Sequence, residues 1–205
     1  MADFEIEPPP APIDDLAAAC ARFVKEALSL DLDNAPETLP ILDHYARTRA
    51  GTTGPSSEEV RDLLTPALGA YFGEVVRRTL PGVRWRVPTD LEDYGSYRLE
   101  FELVFLHFNP LGIAREVLAH DEVEDSGASF QVLDEAKASL HEALEESGGV
   151  SLDDYYSFTI RYETLELVIS VLSALERTTQ ATPRRFGPEV YRAASGETLG
   201  QGGAS

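Results

Sequence analysis

Positive charge is what this chain has least of. Seventeen Lys and Arg stand against 36 Asp and Glu over 205 residues, a formal net charge of −19. Affinity for nucleic acid depends on cations that displace condensed counterions, and a field this negative repels phosphate backbones and anionic membrane surfaces alike. Direct nucleic-acid and membrane binding are therefore not expected. Histidine is also scarce. None of His44, His107, His120 and His141 belongs to a His-Glu-x-x-His pattern. The residues three positions before them, Ile41, Val104, Val117 and Ala138, exclude the Glu-x-x-His spacing of helical di-iron sites. A phosphate-binding glycine loop, a dinucleotide fingerprint and a Gly-x-Ser-x-Gly nucleophile elbow are absent too. No metal or cofactor is expected, and catalysis is not favoured.

Cys20 stands alone, so no intramolecular disulfide can form, and its neighbours Ala19, Ala21 and Phe23 point to a small buried thiol. No run of about 18 uninterrupted apolar residues offers a membrane helix. Met1 to Pro12 carries acids and prolines where a secretory signal carries bases and an apolar run, and the expected location is the cytoplasm.

What the chain does have is enough apolar surface for a core, 43% of its residues. A disordered arm over 1–12, one globular domain over 13–178 and a flexible tail over 179–205 are expected. Within that tail, Pro183-Arg-Arg-Phe-Gly-Pro188 with Tyr191 stands out as a possible short docking motif. Apolar residues three and four apart predict helices from Asp14 or Asp15 to Leu28, after Asn34, from Ser56 or Ser57 to Arg78, after Asn109-Pro110, and over Phe130 to Glu146. The third carries the most regular stripe, Val60 through Val76, with Pro66 predicting a kink or a restart. Gly69 and Gly73 sit one turn apart on it, which predicts close approach of another backbone. Val83-Arg-Trp-Arg-Val87 and Tyr97 to Phe105 alternate as half-buried strands do, joined by a turn over Asp90 to Ser96. Residues 155–163 fit either a strand or a helix, and Ser151 with Asp154 favours the helix. The expected class is α+β, a helix-rich single domain with a small antiparallel hairpin or sheet packed against helices.

Three local features occur together: Pro36-Glu-Thr-Leu39 before Leu42-Asp43, then Ala70-Tyr-Phe-Gly-Glu-Val-Val-Arg77, then Gly82-Val-Arg-Trp85. In these the chain resembles a broad group of uncharacterised bacterial domains in which a Gly-Glu helix leads to a Gly-x-x-Trp strand. The resemblance spans roughly 14–118 and implies a fold neighbourhood, with no catalytic residues to carry over.

The charge is unevenly placed. Glu116 to Asp154 holds twelve carboxylates against one cation, Lys137, whereas Arg77, Arg78, Arg84, Arg86 and Arg98 reverse the balance over 77–98. Asp121, Glu122, Glu124, Asp125, Glu142, Glu145 and Glu146 are the candidate protein-binding residues. Asp121-Glu-Val-Glu-Asp125 lacks the oxygen spacing and central glycine of a calcium loop. Charge without chemistry leads to the expectation of a non-enzymatic, acidic module that sequesters or masks a basic protein, as an immunity protein, chaperone or adaptor does. Two alternatives remain open: an enzyme whose Glu74, His107 and Glu116 converge in a cleft, and a DNA mimic with acids in rows. Glu74 itself has two readings, a carboxyl raised by partial burial or a partner of Arg77 or Arg78. Glu116 with His120, and His141 with Glu145, fall one helical turn apart, a spacing that could share a metal but suits ordinary surface pairing better. Trp85 with Tyr94 or Tyr97 makes either core or an exposed aromatic patch.

Overall fold

A computed structural model describes residues 7–50, 57–179 and 184–194. The expected helix-rich α+β domain is what forms, with a four-stranded antiparallel sheet in the order β1-β2-β3-β4. Helix α1 (Ala11–Leu28) starts earlier than capping by Asp14 or Asp15 predicts. Pro10 caps it and Pro12 lies in its first turn, where a missing N–H costs nothing because that donor has no partner inside a helix. Its inward row is Ile13, Ala17, Cys20 and Val24. Burial drives the Cys20 thiol upward from its ordinary value, so it stays protonated and inert.

After a 3₁₀ turn at Pro36–Thr38 comes α2 (Leu39–Ala50), then α3 (Ser57–Thr79). Helix α3 is buried on every side from Pro66 to Arg77, and runs through Pro66 without the expected restart. It packs most extensively against α1 and against α4 (Pro110–Ala119). Gly69 makes the second contact possible: a Cβ there would stand 2.5 Å from the Leu111 Cα. The reward at Gly73 is different from the one expected. Its space is filled by the Trp85 indole, a side chain rather than a backbone.

Strands β1 (Val83–Arg86) and β2 (Arg98–Phe101) form the predicted hairpin, with Trp85 opposite Leu99. The long second strand predicted over 97–105 stops at Phe101. The chain bends and returns as β3 (Leu106–Phe108), pairing Leu99 with Phe108 and Glu100 with His107. Asn109 then caps α4, its side chain accepting from the Leu111 N–H at 2.9 Å. The predicted helix over 130–146 begins only at Asp134, because Gln131 and Val132 are taken by β4 (Gln131–Val132) against β3. Helix α5 (Asp134–Glu146) follows, then α6 (Leu152–Tyr155), capped by Ser151 as its spacing to Asp154 predicts, and α7 (Phe158–Thr179). The ambiguous segment 155–163 is thus helical on either side of a bend at Tyr156 and Ser157. Asp43 fixes the start of α7 from α2, accepting from the N–H of Phe158 at 2.6 Å and of Thr159 at 3.1 Å.

One face of the sheet, with Leu99, Phe101, Leu106 and Phe108, belongs to the core; the other carries the row Arg84, Glu100, His107 and Gln131. Residues 184–194 cover part of that polar face, ending in α8 (Pro188–Ala194). A flexible tail is expected there, yet Phe186 and Tyr191 are buried against Phe105. The Tyr191 hydroxyl donates to the Phe101 carbonyl at 2.5 Å and accepts from the Leu106 N–H at 3.2 Å, stapling the bend between β2 and β3. Burial pushes this phenol up to about 12. The motif in this segment therefore docks on its own domain; of the expected tail, residues 180–183, with the motif's Pro183, and 195–205 lie outside the described residues.

Candidate functional site

The seven candidate carboxylates occupy two platforms. Asp121, Glu122, Glu124 and Asp125 lie on the loop after α4, and Glu142, Glu145 and Glu146 on the last turns of α5; all are exposed. The loop is held from beneath. His120 closes α4 in the left-handed conformation, with φ of 53°. The Ser126 hydroxyl then donates to Glu116 Oε1 at 2.8 Å, and the Asn109 N–H donates to the Gly127 carbonyl at 2.8 Å. Ser126 and Ala128 point inward, so the acids between them and His120 are turned out to water. Among the described residues only His141 stands within ion-pair distance of these seven groups, at 3.2 Å from Glu145. That pairing is the ordinary i,i+4 surface contact its spacing suggests.

Glu116 does not belong to this surface, although the sequence places it at the head of the acidic segment. It is 5% exposed and binds Arg161 Nη2 at 2.5 Å, joining α4 to α7. Its carbonyl, rather than its side chain, meets His120, as the acceptor of the cap N–H. Glu74 is likewise interior. Arg77 donates twice to it, at 2.7 and 2.8 Å, and Trp85 Nε1 donates at 2.8 Å. Burial works to raise its carboxyl, but the Arg77 and Trp85 hydrogen bonds and the Arg77 charge outweigh that, leaving it below its ordinary value. The raised-carboxyl reading of Glu74 therefore fails, and the arginine-partner reading holds.

Glu74, His107 and Glu116 do not converge. Each has its own partners, and His107 lies on β3, edge-on to the Tyr191 ring at 5.6 Å. Burial and the nearby Arg98 charge hold its imidazole below the usual range. No group of three His, Cys, Asp or Glu side chains among the described residues is arranged to hold a metal ion. Trp85 and Tyr97 are not an exposed aromatic patch either: Trp85 is half-buried over Gly73 and Tyr97 is buried, with only Tyr94 of the three exposed.

The arginines over 77–98 are largely consumed inside the fold. Glu100, 1% exposed, takes Arg84 at 2.9 Å and Arg98 at 2.9 Å, while Glu74 takes Arg77 and Arg78. What remains outward is almost wholly negative in the segment 121–146. No protein family, curated protein or solved structure matches this chain.

Sequence reasoning passes over Arg161 and Tyr155. The Arg161 guanidinium lies 3.9 Å from the centroid of the Tyr155 ring, and its Nε–H is buried without an acceptor. A lone arginine in an apolar helical stretch, with a carboxylate as its only plausible buried partner, is the signal that marks it.

Proposed function

We propose that this protein is a non-catalytic binding module that masks a basic protein partner through the carboxylates between Asp121 and Glu146. An immunity protein and a chaperone or adaptor are the concrete forms such a module takes. The observation that carries the reading is the contrast between those seven exposed acids, which meet one histidine among them, and the interior glutamates Glu74, Glu100 and Glu116, each matched to arginine. A surface of like charge adds no stability to the fold, but it steers oppositely charged partners and raises their association rate. The anchored loop adds to this, because groups held in place lose less freedom on binding.

The test is kinetic. A variant with Asp121→Asn, Glu122→Gln, Glu124→Gln and Asp125→Asn is compared with the parent for association with its partner at low and at high salt. Association should slow at low salt and the two proteins should converge as salt rises, since screening removes the steering. An unchanged rate at low salt removes the loop from the interface.

A further inference from the structure

The acidic surface borders a groove whose lining, apart from Phe130, is not explained by packing on the core. It has a volume of about 490 Å³ and is lined by Phe130, Leu144, Val150, Tyr155, Ile160 and Leu167, from the end of α5 across α6 to the first turns of α7. Leu144, Val150 and Tyr155 are 37%, 47% and 37% exposed. Single exposed apolar side chains are ordinary, but three on one concavity are not. Arg161 forms part of the wall while being only 3% exposed. Its charge is matched by Glu116 and its face by the Tyr155 ring, which leaves the buried Nε–H as an orphan donor.

Carboxylates surround this groove. Glu163 lines it, and Glu145 and Glu146 stand in sequence between the lining residues Leu144 and Ser147. Beside it, the Tyr156 phenol is raised by burial and by the charges of Asp121, Glu116 and Glu122. The Tyr156 ring in turn meets Tyr155 at 5.3 Å.

We propose, resting on the binding reading above, that the groove takes the apolar face of a cationic amphipathic segment of the protein partner. The carboxylates around it meet the segment's Lys and Arg, and Arg161 Nε–H donates to one of its carbonyl oxygens. Helix-in-groove recognition places apolar anchors in a pocket and charges at its edge, the arrangement found here. A ligand carboxylate fits poorly, because Glu116 already neutralises Arg161 and the surrounding acids repel an anion. A second copy of this chain fits poorly for the same reason, since it brings its own net charge of −19.

The experiment uses the full chain and two defined peptides: a helical Leu/Lys peptide with one apolar face, and its counterpart with every Leu replaced by Ser at the same Lys count. Fluorescence anisotropy at low salt reads both affinities for the parent and for the Leu144→Ser/Val150→Ser variant, whose melting curve is recorded alongside. The parent should bind the Leu/Lys peptide about tenfold more tightly than the Ser/Lys one. The variant should lose that preference while keeping its affinity for the Ser/Lys peptide. An arginine Nε–H resonance of the parent should also shift on adding the Leu/Lys peptide. Equal binding of both peptides by the parent, or a preference that survives in the variant, overturns the groove and leaves the acidic-surface reading standing. Binding of neither peptide overturns both.

Discussion

Glu74, Glu100 and Glu116 on one side, and the seven carboxylates from Asp121 to Glu146 on the other, are the same chemical group in opposite circumstances. The first three are nearly inaccessible to water, and each is held by arginine. The other seven are exposed and share a single histidine. The difference teaches that net charge mixes two populations. Interior acids take up arginines that would otherwise stand among the surface charges, whereas the 121–125 loop and the end of α5 keep theirs unmatched by any arginine. It also explains why the arginine-rich segment over 77–98 does not become a basic patch.

The comparison breaks most readily at Glu116. Truncation by Glu116→Ala strands the buried Arg161 charge and frees Ser126 beneath the acidic loop, and should cost about 3–5 kcal/mol in denaturant melts. A melt like the parent's would mean that the pair does not hold α4 to α7. Glu74 sharpens the same point through pH. Its folded value lies below the ordinary 4.5, so the stability it contributes is present above that pH and is lost as pH falls through the lower folded value. Glu74→Gln should therefore cost about 1.5–3 kcal/mol near neutrality. The gap between parent and variant should narrow on acidification below 4.5, as stability measured across that range will show. A gap that widens on acidification would reverse the assignment.

A smaller effect is expected where no charge is involved. Tyr191→Phe removes the hydroxyl that bridges Phe101 and Leu106, and should cost about 1–2 kcal/mol by thermal or denaturant unfolding. No loss would return residues 184–194 to the status of a tail. The smallest effect belongs to the surface: Glu142→Gln and Glu146→Gln, singly, should each change stability by less than about 0.5 kcal/mol. A larger loss at either would place a surface acid among the structural ones.

The helices and the hairpin are legible in the sequence because their determinants are local. Periodicity, the Ser151 and Asn109 caps and the alternation around Trp85 each act over a few residues. The exposure of the acidic loop is legible for the same reason. What escaped depends on contacts between distant residues. Nothing near Phe105 in sequence announces that Tyr191 will staple the bend after β2, so one long strand is predicted where two short ones form. Nothing near Glu116 announces Arg161, so a structural acid is counted at the head of the acidic segment and entertained as part of a catalytic cleft. Leu144 follows the helical period of α5 yet emerges at a groove, because Val150, Tyr155 and Ile160 arrive there from elements that the period of one helix cannot place.

The division between acids that fold and acids that bind is tested most directly by neutralising all seven exposed carboxylates at once, Asp to Asn and Glu to Gln. Parent and variant serve as baits in lysate of the source cells at low salt, with captured proteins quantified by mass spectrometry and both baits checked for the same melting transition. The parent should retain a basic protein that the equally folded variant does not. Recovery of that same protein in equal amount on the variant would contradict the division.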